Sequence, residues 1–246
     1  MKKIIFALIV AIASSSTAQA MTINVTTDIH AGSPKKRDYT KYTAGNVIYP
    51  KKGTKHFNNF LASPADIYIA LGDNTNTCKD WKYAKKLRSA VDKSGKVVLF
   101  GFGNHDCDKG FKYLHQGSKY YTYDKGNVRV IVLNTEELYN NIGGQNEGGM
   151  SGTQIEWLKT QLDTEKRIVI AMSKPAYHKD LKTPKDAYRP FFEAIKGKDN
   201  IEHIFAGDYH VFNAVVAYLG YPNIRWHYVP ALTLQASPGF FQQIEM

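Results

Sequence analysis

Four short stretches of this chain hold side chains that could bind a cation and act on a substrate beside it: Asp28-Ile29-His30, Gly72-Asp73, Gly103-Asn104-His105-Asp106 and Gly207-Asp208-Tyr209-His210. Residues two apart in extended chain share a face, so Asp28 and His30 can offer one carboxylate and one imidazole to a single ion. Asp73 can bridge two ions through its two oxygens, and Asn104 offers a neutral carbonyl oxygen. Such a mixture of nitrogen and oxygen ligands suits Zn, Mn or Fe. Gly-Asn-His-Asp is the most specific of the four. It sets side by side a metal ligand, a histidine able to contact a leaving group, and an acid able to orient that histidine. Taken alone, an Asp-x-His pair occurs by chance and Gly-Asp is commonly a turn, so the weight lies in where the motifs sit.

Each motif follows a run that reads as a strand. Short β-rich apolar runs recur at Thr22 to Thr27, Ile67 to Leu71, Lys96 to Phe100, Val128 to Leu133, Ile168 to Met172, Ile201 to Ala206 and Phe212 to Tyr218. Helical patterns lie between several of them, at Lys79 to Lys93, Thr153 to Leu162, and from Thr183-Pro184-Lys185-Asp186 onward, where a cap residue, a first-turn proline and an acid follow in order. Alternating strands and helices predict an α/β sheet. Ligands of such sheets bind in the crevice at the strand ends, where these motifs stand. Toward the C-terminus helices stop and strands follow one another, through Arg225 to Val229 and Phe240 to Glu245, which predicts two packed sheets with helices outside. The Gly-rich stretch from Gly143 to Gly149 lacks the Lys-Ser/Thr of a phosphate-cradling loop and reads as a mobile surface loop, with a place at the border of the active site as the alternative.

The chain opens with Met1-Lys2-Lys3, an apolar run from Ile4 to Ala13 and Ala18-Gln19-Ala20. This is the pattern of a secretory signal peptide over residues 1–20, its apolar run too short to span a bilayer. Residues 21–246 then form a single domain, exported to the periplasm or beyond. Formal charge is +10, or +8 without Lys2 and Lys3, which favours anionic partners. A small phosphoester fits that charge, and nucleic acid fits it too, although no lysine run forms a nucleic-acid arm. The two cysteines, Cys78 and Cys107, are predicted to pair in an oxidising compartment. Closing a loop of about 28 residues contributes roughly 3 to 4 kcal/mol.

In the order and content of its motifs the chain resembles the calcineurin-like metallophosphoesterase family over essentially all of Thr22 to Met246. The text between the motifs is similar as well, with Tyr121-Thr122-Tyr123-Asp124 before Gly126-Asn127-Val128 and Gln154-Ile155-Glu156-Trp157-Leu158 opening a helix. The resemblance implies a four-layer α/β/β/α sandwich, two packed mixed β-sheets flanked by helices. It leans to the cyclic-nucleotide phosphodiesterase-like branch, because purple acid phosphatases would have a glycine at His30 and a tyrosine at Asn76. It assigns one metal ion to Asp28, His30, Asp73 and His210, and a second to Asp73, Asn104, Ser173 and Asp208. At Ser173 and Asp208 the family would have histidines. The second site is therefore expected to be weaker, or to prefer Mn or Mg.

The implied activity is hydrolysis of a phosphate mono- or diester through a metal-bound hydroxide, with His105 and Asp106 assisting and one or two Mn, Zn, Fe or Mg ions as cofactors. Two alternatives stand beside it: a catalytically degenerate member that binds a phosphorylated ligand or partner, and a secreted nuclease. His178 is a candidate replacement for the missing imidazole, whereas His56, His115, His203 and His227 belong to no motif.

Overall fold

In Val128–Leu133, VRVIVL, and Arg167–Met172, RIVIAM, the interior residues are apolar at nearly every position. A strand of that kind needs cover on both faces, which only a layered fold supplies. The computed structural model describes residues 20–32, 37–38, 47–48, 52–138, 148–178, 180, 182, 184–210, 213–232 and 240–246. In chain order the strands are β1 (Thr22–Thr26), β2 (Arg37–Asp38), β3 (Val47–Ile48), β4 (Ile67–Ala70), β5 (Val98–Phe100), β6 (Tyr121–Lys125), β7 (Val128–Leu133), β8 (Arg167–Met172), β9 (Ile201–Ala206), β10 (Ala214–Tyr218), β11 (Tyr221–Tyr228) and β12 (Gln242–Glu245). The helices are α1 (Gly53–Ala62), α2 (Trp81–Ser94), α3 (Asp108–Leu114), α4 (Gly152–Gln161) and α5 (Arg189–Ile195).

One sheet runs β12-β1-β4-β5 and the other β10-β11-β9-β8-β7-β6, while β2 and β3 pair separately. Both large sheets are mixed: β1, β4 and β5 are parallel with β12 antiparallel, and β7, β8, β9 and β11 are parallel with β6 and β10 antiparallel. Ile23, Val25, Ile67, Ile69 and Leu71 of the smaller sheet pack on Val130, Val132, Val169 and Phe205 of the larger. Outside the smaller sheet, Phe57, Phe60, Leu87 and Phe111 close α1, α2 and α3 over Tyr68 and Phe100. Outside the larger, Ile155 and Leu158 of α4 and Phe191 and Ile195 of α5 cover Ile131, Ile170 and Ile204. This is the expected four-layer sandwich.

Several elements depart from the sequence reading. Helices α1 and α3 and strand β6 were absent from it. α1 buries Phe57, Phe60 and Leu61, but its N-cap, Lys52, makes no side-chain cap bond, so no start signal precedes it. α3 is only seven residues long. The helix expected from Thr183 starts later: Lys185 is extended (φ −79°, ψ 134°), a 3₁₀ turn covers Asp186–Tyr188, and Pro190 takes the first turn of α5. The expected signal peptide lies outside the described residues except for Ala20, as do Thr183, Phe212 and residues 143–147 of the Gly-rich stretch. Among the described residues, no helix is long and apolar enough to cross a membrane.

Candidate metal centre

The segments leaving β1 and β4 continue side by side past the sheet. Asp28 N donates to Gly72 O (3.1 Å), His30 N to Asp73 O (2.8 Å) and Ala31 N to Asn74 O (3.0 Å), which stacks Asp28 and His30 on Asp73. From the other sheet, Gly207 N donates to Ser173 O (2.9 Å) and Asp208 N to Asp28 Oδ2 (3.0 Å), drawing the β8 and β9 loops to the same point. Glycines make these crossings feasible. A Cβ at Gly103 would collide with the backbone N and Oδ1 of Asp73, and one at Gly207 with the Thr27 side chain. Among the described residues, the non-glycine residues with positive φ are Asp28 (51°), His30 (44°), Asp73 (47°), Asp208 (65°) and His210 (58°). Such backbone costs on the order of 1 kcal/mol or more per residue, and here all of it is gathered in one place.

One donor atom from each of Asp28, His30, Asp73 and His210 lies within 4.8 Å of the others, and all four residues are buried. His210 Nε2 is 2.7 Å from Asp28 Oδ1, and His30 Nε2 is 3.4 Å from His210 Nε2, 3.5 Å from Asp28 Oδ1 and 3.8 Å from Asp73 Oδ2. Burial pushes the His30 imidazole down to about 3, so it is neutral and offers a lone pair. Burial would also lower His210, yet the charge and hydrogen bond of Asp28 raise it above the ordinary value. Burial, reinforced by the neighbouring carboxylates Asp28 and Asp208, raises Asp73 to about 6 against the pull of His105. Two imidazole nitrogens and two carboxylates that converge without solvent fit a divalent ion, which would relieve both the like charges and the facing nitrogens.

His105 stands at the rim. Its Nδ1 is 2.8 Å from Asn76 O, its backbone N donates to Asp73 Oδ1 (2.8 Å), and its Nε2 is 3.9 Å from Asp73 Oδ2. A carbonyl can only accept, so Nδ1 carries hydrogen and Nε2 faces the centre. The orienting contact expected from Asp106 is thus made by the Asn76 carbonyl. Asp106 instead accepts from the backbone of Asn74, Thr75 and Gly103 and from both their side chains at Asn74 and Thr75, bracing the two loops. Burial, then the Asp73 charge, raises its carboxyl to about 6. The Cys78–Cys107 disulfide joins the same loops, with Cα atoms 5.2 Å apart.

Asn104 and Asp208 gather around a side chain, next to Ser173 in the chain, that the sequence reading passed over. Lys174 Nζ lies 3.0 Å from both Asn104 Oδ1 and Asp208 Oδ1, and the side chain is 1% exposed. Burial alone would lower its pKa, but Asp208, Glu136 and Asp73 outweigh it and raise it. Burial lifts nearby Glu136 to about 8. A lysine two residues past a buried strand was the available signal, since a buried ammonium requires anionic company. His178 lies outside the four-donor cluster, as do His56, His115, His203 and His227.

Residues 21–212 match the family described as calcineurin-like phosphoesterase. The chain belongs to that family. This calcineurin-like phosphoesterase is 26% identical over 164 residues to a probable glycerophosphodiester phosphodiesterase GpdQ of Arcobacter nitrofigilis, covering 63% of this chain and 57% of the relative's length. Its fold is similar to a dimetal phosphatase from Danio rerio (TM-score 0.71, 12% identity, 91% of each chain). It is also similar to a yellow lupin purple acid phosphatase (TM-score 0.54, 11% identity, 92% of this chain and 49% of that one). The leaning away from purple acid phosphatases agrees with this: likeness in sequence is to a phosphodiesterase, and likeness to the lupin protein is of fold alone.

Proposed function

We propose that this protein is an exported, metal-dependent phosphoesterase that hydrolyses a small phosphate mono- or diester. The observation that carries the reading is the convergence of Asp28, His30, Asp73 and His210, buried and within 4.8 Å of one another at the strand ends. These four residues would hold a divalent ion, drawn from Mn, Zn, Fe or Mg. A bound ion supplies positive charge that polarises a phosphoryl oxygen and acidifies water.

The chain's own groups do the rest. Asp28 Oδ1 fixes the His210 ring through the 2.7 Å contact, and the Asn76 carbonyl fixes the His105 ring. With Nδ1 so engaged, His105 presents Nε2 to the substrate. Its protonated form donates there to a leaving-group oxygen, and its neutral form accepts. Lys174 Nζ holds a positive charge beside Asn104 and Asp208, of the sign that compensates a dianionic phosphoryl group.

Export is supported by the residue pattern of 1–20 and by the Cys78–Cys107 disulfide. Mass analysis of the protein recovered outside the cytoplasm tests it: loss of about twenty residues is expected, and full-length protein retained inside the cell refutes it. For the activity, chelated protein is reloaded with Mn, Zn, Fe or Mg and offered aryl phosphate mono- and diesters. Turnover that returns with at least one metal and is lost in Asp73→Asn is expected. No turnover with any of the four defeats the reading and leaves the ligand-binding alternative.

A further inference from the structure

Around Lys174 the molecule has built a complete cation site and filled it with a side chain. The ammonium has Asn104 Oδ1 and Asp208 Oδ1 at 3.0 Å each, an amide oxygen and a carboxylate of the kind that hold hard cations. The backbone that delivers it is held on both sides. Lys174 N donates to Thr135 Oγ1 (3.0 Å), and Tyr188 Oη donates to Lys174 O (3.4 Å). Over the stem lies Gly148 at φ 71°, where a Cβ would come within 2.7 Å of Lys174 Cδ and 2.9 Å of Tyr188 Oη. A surface lysine swinging in by chance would have no such cover over its stem.

We propose that the Lys174 ammonium is a permanent stand-in for a second metal ion, so that the centre operates with one metal ion and one covalently tethered cation. The inference rests on the metal-centre reading above and adds to it the composition of the centre. Asn104 and Asp208 are then partners of the ammonium and not ligands of a second ion. Ser173 is small because no ligand is needed there: its side chain lies against Gly72, where a Cβ would come within 2.5 Å of Ser173 Oγ. A second divalent ion would meet a fixed positive charge at the place it must occupy, and the repulsion across so short a distance in a buried site excludes it. The ammonium supplies positive charge beside a phosphoryl group. It cannot acidify water, so all of that work falls to the ion held by Asp28, His30, Asp73 and His210.

Metal content and the Mn electron paramagnetic resonance spectrum of the full mature chain test this without any reference to turnover. The parent, titrated with Mn, is expected to saturate at about one ion per chain with a mononuclear six-line signal. Ser173→His alone is expected to remain at one, because Lys174 is still present. Ser173→His combined with Lys174→Ala is expected to take up a second ion and to show the spin-coupled signal of a pair. A coupled pair in the parent or in Ser173→His overturns the proposal, and so does a folded double variant that stays at one ion. If the double variant fails to fold, the parent spectrum decides alone. A parent that binds no metal refutes the metal-centre reading itself, which separates that failure from this one.

Discussion

His30 Nε2 and His210 Nε2, on residues 180 apart in the chain, face each other across 3.4 Å. Two bare lone pairs cannot share that distance, so one nitrogen holds a proton until a cation replaces it. Asp28 assigns the proton to His210, whose pKa is raised, while His30 is neutral. Metal uptake therefore competes with the proton on His210, so affinity rises with pH and proton release per ion increases as pH is lowered through the His210 titration. Calorimetric titrations in buffers of different ionisation enthalpy measure the number directly. Heats that do not depend on the buffer contradict this assignment.

Asp73 is held at about 6 by burial and by the neighbouring carboxylates, against about 3.9 in an unfolded chain. The unfolded state gives up this proton first, so stability falls as pH rises between those values and the full cost is present above them. Asp73→Asn removes the cost, and its amide oxygen can still accept from His105 N. The metal-free variant should be more stable than the metal-free parent at pH 7, by on the order of 2 kcal/mol. The stabilisation on adding metal should vanish. Thermal melts with and without Mn check both, and a metal-free Asp73→Asn that melts below the parent counts against the account.

For His105, whose ring is turned by the Asn76 carbonyl, replacement by Ala should lower kcat by about 10²–10⁴ on a substrate with a poor leaving group. The loss should be far smaller with nitrophenolate, which leaves without a proton. Metal content should not change. Equal losses on both substrates would show that the ring does not serve as a proton donor.

Gly207→Ala forces a methyl into the side chain of Thr27, which itself donates to Asp28 Oδ2 (2.6 Å). Stability should fall by about 2 kcal/mol or more, and metal affinity should fall with it because Asp28 is displaced. Denaturant titration and Mn binding on the same preparation measure the two together. Unchanged Mn affinity would mean that the crossing adapts without moving the ligand.

A second histidine pair, on β9 and β11, makes the fold acid-sensitive. His203 Nδ1 and His227 Nε2 lie 2.8 Å apart, and burial lowers them to about 4 and about 3 respectively. In the unfolded chain both accept protons near 6.5, so between that value and about 4 the unfolded state binds more protons and stability is lost as pH falls. The loss is on the order of 3 kcal/mol for each histidine by pH 4. His227→Gln should flatten that slope in urea titrations of the chelated protein, and an identical slope would place the acid sensitivity elsewhere.

The sequence displayed the ligands because each followed a run of strand-forming residues, and strand ends in such sheets converge. Hidden from it were contacts that depend on backbone and on loop paths. Asn76 orients His105 with its carbonyl, an atom every residue has, so its side chain announced nothing. Asp106 looked like a partner of its neighbour His105 and instead braces Asn74 and Thr75, more than thirty residues earlier. Lys174 went unremarked in the sequence, since only the folded chain reveals that Asn104 and Asp208 surround it. Helix α1 lacked a capping signal, and the true start of α5 was masked by an extended Lys185 behind a convincing Thr-Pro-Lys-Asp.

Cys78 stands two residues past Asn76 and Cys107 two past His105, so their bond is a hasp on the very contact that aims the His105 ring. Protein made in a reducing cytoplasm, or purified with thiols, would keep its metal ligands and lose that fastening. Two batches of equal purity and equal metal content could then differ in turnover, and a thiol count taken before each assay would tell them apart.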